Sequence, residues 1–328
     1  MIKEILVTGG TGFTGSKLIK KLLEKGYYVR ALARKTSKID DLKKSSVEIV
    51  YGDIRDKATV ENAVNGCDAV IHLAAAWQNY KFPNSFYYEV NVKGTKNLLD
   101  ASLKYNVKKF VLCSTGGVLG HISNPPANEN SPYNPGDVYQ ESKMEGEKLA
   151  LKYFKEKKLD GTVIRPAPTY GIGDKRILKL FKQIKKGRFF MLGKGDICYH
   201  LVNVDDLVNG FILALEKEES IGQVYIIGGN ECPQLNELVR LIAKVLDVDV
   251  KIIHLPFWPV YYISFLCEIT CKLFGIKPPI FRRRIDWFRK NRSFDISKAK
   301  KELHYEPKIG LEEGLRATGE RYKENGNL

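Results

Sequence analysis

Cysteine is scarce in this chain, and what there is lacks the spacings that would give it a role. The 328 residues hold six cysteines and no C-x-x-C pair. That excludes a disulfide framework and leaves zinc and thioredoxin-like centres without support, so no metal is expected. Cys267 and Cys271, four apart on an expected helix, read as two small apolar residues. Long apolar runs are missing too. The longest, residues 255–267, is broken by Pro256 and Pro259 and followed by Glu268, Thr270 and Lys272, short of the roughly 20 residues a spanning helix needs. The opening Met1-Ile2-Lys3-Glu4-Ile5 runs straight into a glycine turn, without the apolar stretch of a signal peptide. A reduced, cytoplasmic setting is the expectation.

Acid is outnumbered by base: Lys plus Arg is 53 and Asp plus Glu 38, for a net charge of +15. The lysines are spread over many expected helix faces (Lys17, Lys20, Lys21, Lys25; Lys152, Lys155, Lys158) and alternate with apolar residues. That is the pattern of solvated faces, so nucleic acid is not an expected partner. Attraction for anionic cofactors or an anionic membrane surface fits better.

Strand-like and helix-like segments alternate from the start. Strands are expected at 2–7, 27–33, 47–51, 69–73 and 109–113, and helices at 16–25, 56–64 and 89–104. Short connections between them predict an α/β fold with a doubly wound parallel sheet of the Rossmann type. A long helix at 139–157 and a strand at 162–164 follow. Beyond residue 165 the rhythm changes to a Pro/Gly-rich loop, a basic helix and a Gly-Lys-Gly turn at 193–195. Strands at 201–204 and 223–227 and helices at 205–215 and 235–246 complete the reading. We therefore expect a dinucleotide-binding domain over 1–170, completed by segments near 201–230. A smaller, interleaved substrate lobe would occupy most of 171–328.

Thr8-Gly9-Gly10-Thr11-Gly12-Phe13-Thr14-Gly15 lies between the first strand and the first helix. Gly9, Gly12 and Gly15 are spaced as a turn that lets a pyrophosphate approach the backbone, with the helix N-terminus offering free N–H groups. The second strand ends Ala31-Leu32-Ala33-Arg34-Lys35 without an acid for a ribose 2′-hydroxyl. Arg34 would suit a 2′-phosphate, which favours NADP over NAD. Asp53, after the third strand, would accept the adenine amino group.

Tyr139-Gln140-Glu141-Ser142-Lys143 sets a phenol and an ammonium one helical turn apart on one face. A free phenol, with a pKa of about 10, is a poor base at neutral pH. A neighbouring cation favours the phenolate and makes it a usable acid/base. Thr115, at the carboxyl end of strand 109–113, faces the crevice of such a sheet and would orient a substrate oxygen against Tyr139.

Glycine turn, strand-end hydroxyl and Tyr-x-x-x-Lys, in this order, resemble the short-chain dehydrogenase/reductase superfamily. The chain's size and its downstream blocks are similar to the extended branch, the NAD(P)-dependent epimerase/dehydratase family. Those blocks include Gly52-Asp53-Ile54, His72-Leu73-Ala74-Ala75, Asn91-Val92-Lys93-Gly94-Thr95, Arg165-Pro166, Tyr170-Gly171, Val202-Asn203-Val204-Asp205-Asp206 and Phe294-Asp295-Ile296-Ser297-Lys298-Ala299. The resemblance implies that Gly12, Phe13 and Thr14 contact the pyrophosphate, Asp53 and Ile54 flank adenine, and Leu73, Ala74 and Ala75 line the dinucleotide. It also implies Asn91, Thr115 and Ala167 near the nicotinamide, Lys143 on its ribose, Tyr139 as general acid/base, and a homodimer through helices 89–104 and 139–157.

Within that family the chain departs from the sugar pattern. Pro168 stands where nucleotide-sugar members typically carry Asn, Asn203 replaces a His, and Cys198 or Tyr199 stands where an Arg is common. Gly116-Gly117 replaces the Asp-Glu of dehydratases, removing their acid and base. The apolar segment 255–276 and the basic run Arg282-Arg283-Arg284 leave several readings open: wall of a greasy pocket, membrane-interface helix, subunit contact, or core helix with a basic flank. The features look like 3β-hydroxysteroid dehydrogenase-like and dihydroflavonol-reductase-like members. The expectation is an NAD(P)-dependent oxidoreductase of a hydrophobic secondary alcohol or ketone, a small apolar substrate that is sterol-, isoprenoid- or flavonol-like. The alternative is a nucleotide-sugar 4-epimerase working through a transient 4-keto intermediate. Peripheral membrane contact would run through 255–284.

Overall fold

The computed structural model describes residues 2–77, 82–276, 278–280 and 282–328, apart from the side chains of Asp41, Lys272 and Arg283. The first half runs β1 (Glu4–Thr8), α1 (Phe13–Glu24), β2 (Tyr28–Ala33), α2 (Asp40–Lys43), β3 (Val47–Tyr51), α3 (Lys57–Val64), β4 (Ala69–His72), α4 (Asn84–Tyr88), α5 (Thr95–Lys104), β5 (Lys109–Cys113), α6 (Val138–Glu156) and β6 (Gly161–Pro166). The second runs β7 (Thr169–Tyr170), α7 (Leu178–Ile184), β8 (Arg188–Leu192), β9 (Val202–Asn203), α8 (Val204–Glu216), β10 (Val224–Ile227), α9 (Leu235–Leu246), β11 (Lys251–Leu255), α10 (Phe257–Leu273), α11 (Arg282–Ile285), α12 (Ser297–Leu303) and α13 (Leu311–Glu324).

Seven strands form one parallel sheet in the order β10-β6-β5-β4-β1-β2-β3. Parallel strands must be covered on both faces, and the apolar runs of β1 and β4 supply both. Ile5, Val7 and Ile71 point into one core with Leu18, Leu22 and Phe211; Leu6 and Val70 point into the other with Val60, Leu98 and Leu99. The strand order reverses between β1 and β4, which opens a crevice at the strands' carboxyl ends.

A third core, built on Phe181, Phe189, Met191, Leu238, Ile242 and Leu315, belongs to the second lobe. It holds a parallel pair, β8 with β11, that the sequence pattern does not announce. Two isolated five-residue runs far apart in the chain carry no local signal that they pair. The helix expected over 89–104 also differs. It is preceded by α4, and residues Glu89–Gly94 form a π-helical turn before α5. One extra residue in a turn re-aims the side chains that follow.

A buried polar chain crosses the sheet's first half. His72 is 1% exposed. Its Nδ1 lies 2.7 Å from Thr8 Oγ1 and its Nε2 3.0 Å from Thr95 Oγ1. Thr95 donates to the Asn91 carbonyl, and Thr8 Oγ1 accepts from the Ala74 N–H. Those two ends fix the tautomer: Nε2 carries the proton and Nδ1 accepts from Thr8. Burial, with the Lys143 charge adding to it, holds the His72 pKa down at about 3.

The native state keeps His72 neutral, whereas the unfolded chain protonates it below about pH 6.5. Stability from this group is therefore complete above that pH and is lost as the pH falls toward 3. Urea unfolding at pH 7 and pH 5 should show His72→Gln losing about 2 kcal/mol less across that interval than wild type. Equal losses in the two proteins would mean that His72 titrates normally.

Candidate active site

The turn after β1 is built for close approach. Gly9 has φ +73, and a Cβ there would come within 2.7 Å of Ala74 N; on Gly15 it would come within 2.2 Å of Gly9 O. Backbone therefore packs on backbone, and α1 follows its N-cap residue Gly12 with no side-chain cap and no acid in its first turn. An uncapped helix N-terminus beside side-chain-free backbone accepts a phosphate. The residues present thus fit a dinucleotide pyrophosphate.

The turn opens into a cleft of about 2330 Å³ running from the sheet edge to the second lobe. That is more than twice the upper end of ordinary ligand pockets, room for a dinucleotide and a second ligand. Gly9, Gly12, Phe13, Thr14, Gly15, Leu73, Ala75, Thr115, Tyr139 and Ala167 line it. Arg34, Asp53, Ile54, Ala74, Asn91 and Lys143 do not.

Helix α6 brings the chemistry to this wall. Asp137 caps it, accepting from Gln140 N at 3.0 Å. Tyr139, Lys143 and Glu147 then follow at i, i+4 and i+8 along one face. Lys143 is 5% exposed, and its Nζ donates to the Cys113 carbonyl at 2.6 Å. Burial lowers its pKa below the ordinary lysine value, against the pull of Cys113 and Glu147. The ammonium is thus pinned beside the strand end that carries Thr115. The Thr115 hydroxyl accepts from Gly117 N at 3.0 Å, and a Cβ on Gly117 would come within 3.4 Å of Gln140. The first turn of α6 and the 115–117 turn therefore pack directly together.

Behind them lies a buried ion pair that sequence reading did not single out. Glu147, fully buried, accepts from Arg165 Nη2 at 2.6 Å and Nε at 3.0 Å, from Tyr133 at 2.8 Å and from Ser114. Removing one partner of such a pair strands a charge and costs about 3–5 kcal/mol, so β5, β6 and α6 are locked in one register. Arg165, read as part of a sequence block, is the brace that holds α6 at the strand ends.

Asn91 is a brace as well. Its amide accepts from Ala76 N at 2.8 Å and donates to Ala76 O and to Ser142 Oγ, and Ser142 donates to the Tyr139 carbonyl. A Cβ on Gly146 would come within 2.3 Å of Asn91 O, so the π-turn and α6 touch backbone to backbone. Asp53 is gripped by Arg55, through the backbone N–H at 2.9 Å and the guanidinium at 3.0 Å. Burial works to raise its pKa, but Arg55, helped by Arg34, outweighs that and holds the carboxyl below its ordinary value. Arg34 is exposed at the end of β2.

The far end of the cleft comes from the second lobe. Phe190, Leu192, Val260, Tyr261, Pro279 and Ile280 supply an apolar wall, and Lys290 and Arg292 supply cations. The Arg292 backbone pairs with Cys198 and His200, which lays its guanidinium 5.4 Å from the Tyr199 ring centre. Its Nη1 is buried without a hydrogen-bond partner. Arg292, a residue no local motif would have found, thus brings a guanidinium to the Tyr199 position. Asn203, in place of the usual His, caps α8 by accepting from Asp205 N at 2.9 Å. Among the described residues no cluster of His, Cys, Asp or Glu forms a metal site.

The model of the NAD dependent epimerase/dehydratase family matches residues 5–228. The 3beta-hydroxysteroid-dehydrogenase/decarboxylase isoform 1 of Arabidopsis thaliana is 29% identical, covering 95% of this chain and 78% of its own. The N-acetyl-alpha-D-glucosaminyl-diphospho-ditrans,octacis-undecaprenol 4-epimerase of Escherichia coli is 28% identical over 91% of this chain and 89% of its own. Among solved structures, UDP-glucose 4-epimerase of Thermotoga maritima with UDP-glucose superposes with a TM-score of 0.79 at 28% identity, covering 98% of this chain and 99% of that one.

Replacing Tyr139 by Phe should lower kcat/KM by about 10²–10⁴-fold with the cofactor Kd changed less than about threefold. Lys143→Met should also lower kcat/KM by at least tenfold, because it removes the Nζ bond to the Cys113 carbonyl that seats α6 at the strand end. Steady-state kinetics with fluorescence titration of the reduced cofactor check both. A Tyr139→Phe protein keeping over a tenth of its activity would remove the phenol from this role.

Proposed function

The chain belongs to the NAD dependent epimerase/dehydratase family, and within it we propose an oxidoreductase that moves a hydride between nicotinamide and a hydrophobic secondary alcohol or ketone. The substrate class is sterol-, isoprenoid- or flavonol-like. One observation carries the reading: the cleft wall holding Tyr139 and Thr115 continues into the apolar wall of Phe190, Leu192, Val260, Tyr261 and Ile280. The glycine turn and the α1 N-terminus hold the pyrophosphate. The bound nicotinamide supplies or accepts the hydride. In oxidation, Tyr139 takes the hydroxyl proton at its phenol oxygen as the carbinol C–H bond breaks; in reduction it returns that proton to the carbonyl oxygen. Lys143 stabilises the phenolate from behind the wall and serves the ribose, and Thr115 orients the substrate oxygen. Gly116 and Gly117 offer no second acid/base pair, so the chemistry stops at hydride and proton transfer.

NADP is the preferred dinucleotide in this reading. The end of β2 carries Arg34 and no acid, Asp53 is already engaged by Arg55, and Lys38 stands on the cleft wall. A 2′-phosphate would meet net positive charge there. The homodimer through residues 89–104 and 139–157 is part of the same proposal.

A second reading is favoured by the Arg292 Nη1 without a partner, which a neutral alcohol leaves unused, and by Lys290 on the same wall, held by Asp286 at 3.2 Å. Those cations suit a diphosphate, and the Escherichia coli relative acts on a sugar diphosphate carried by a polyprenol. In that case the chain would epimerise such a sugar, returning the hydride to the opposite face of a transient 4-ketone.

Titration with NADPH and NADH, followed by turnover of apolar ketones and of diphosphate sugars, separates the readings. A reductase consumes NADPH stoichiometrically with ketone, whereas an epimerase gives no net change at 340 nm. Arg34→Ala should reduce the NADPH-over-NADH preference by tenfold or more. An unchanged preference would remove Arg34 from cofactor selection.

A further inference from the structure

Helix α10 is amphipathic in the wrong sense for a water-facing helix. Trp258, Tyr262, Leu266, Ile269 and Leu273 recur at intervals of three and four, so they form one stripe. They are between 44% and 77% exposed. The opposite face carries the polar and small residues: Ser264 is fully buried, Glu268 is paired with Arg282 at 2.9 Å, and the Cys267 and Cys271 sulfurs lie 3.9 Å apart. Ten of the eighteen large apolar side chains exposed among the described residues fall within 258–280. A patch so concentrated marks an interaction surface.

The charge around it selects the partner. Residues 255–292 hold eight Lys and Arg against Glu268 and Asp286 alone. The guanidinium of Arg282 lies 4.5 Å from the Phe265 ring centre, and that of Arg289 lies 5.7–5.9 Å from Phe257, Trp258 and Tyr261. Aromatic rings interleaved with arginines over an apolar stripe suit the headgroup level of a bilayer. A second copy of this chain would bring the same excess of positive charge to the contact. At 17 residues the helix is about 25 Å long, and no helix of the described residues is long and apolar enough to cross a membrane. It would lie in the interface rather than span it.

We propose that α10 and the arginine-rich segment after it dock the protein on a bilayer surface bearing anionic headgroups. Val260, Tyr261 and Glu268 on the inner side of α10, and Pro279 and Ile280 beyond it, line the cleft. The segment that meets the bilayer is thus also the cleft wall, so docking presents the cleft to substrates dissolved in the membrane. This second step rests on the apolar-substrate reading.

The full chain is floated with phosphatidylcholine vesicles, alone or with about one-third phosphatidylglycerol, a surface that attracts each Lys and Arg near it. Wild type should partition at least tenfold more strongly onto the anionic vesicles and should be released at 0.5 M salt, where screening is short-ranged. Leu266→Asp with Ile269→Asp should lose at least tenfold in partitioning while turning over a short water-soluble ketone as wild type does. Arg284→Ala with Arg289→Ala should lose binding to the anionic vesicles selectively. Wild type that stays in solution, or equal partitioning of the aspartate variant, overturns the docking. So does an aspartate variant that sediments as a smaller oligomer, which assigns the face to a second copy. Vesicle binding that survives while every apolar ketone is inert keeps the docking and removes the apolar-substrate reading.

Discussion

A lysine ammonium held out of water governs this molecule. Lys143 is 5% exposed; its Nζ donates to the Cys113 carbonyl at the end of a central strand, Glu147 follows one helical turn on, and burial lowers its pKa. Taking an ammonium from water costs several kcal/mol unless such partners are already in place. The fold therefore has to fix α6 against the strand ends, and it does so with the Glu147–Arg165 pair, with Ser114, and with the bonds that tie Asn91 to Ser142 and the Tyr139 carbonyl. Once α6 is fixed, Tyr139 has no freedom to leave the cleft wall.

The polar chain from Ala74 through Thr8, His72 and Thr95 to Asn91 does the same work at the dinucleotide end. Every member has its donor and acceptor matched, and that is the condition under which buried polar groups rigidify a core rather than weaken it. It joins β1, whose carboxyl end carries the glycine turn, to α5 and the π-turn, which brace α6. The two halves of the cleft are thereby held in one register by neutral hydrogen bonds, and His72 stays unprotonated because it is buried and faces the Lys143 charge.

How far the sequence could be read follows from the range of each signal. The parallel sheet, the glycine turn and the Tyr139–Lys143 pair depend on neighbours within a few residues, through apolar runs, helical spacing and backbone without Cβ. The edges of β3, β5 and α9 fall where the pattern puts them. What escaped were pairings across long sequence distances. The β8–β11 pair needs two short strands some sixty residues apart, Arg165 needs Glu147 across a helix and a loop, and Arg292 reaches Tyr199 only because residues 291–294 run beside 198–200. Asp53 could be singled out in the sequence, but its capture by Arg55 could not, because an exposed guanidinium has no pattern that names its partner.

Catalysis and substrate choice are consequently separate properties of this chain. The proposed proton and hydride apparatus sits on elements whose register is fixed by buried charge. The second lobe is held mainly by apolar packing, with Arg292 laid over Tyr199 and Arg289 over the α10 rings. Apolar packing tolerates exchange of one side chain for another far better than a buried ion pair does. Residues 255–292 can therefore be exchanged without disturbing Tyr139. The apolar stripe of α10 belongs to the same region. Its outward-facing leucines and isoleucines are exposed rather than packed into a core, which leaves them free to meet a surface outside the protein.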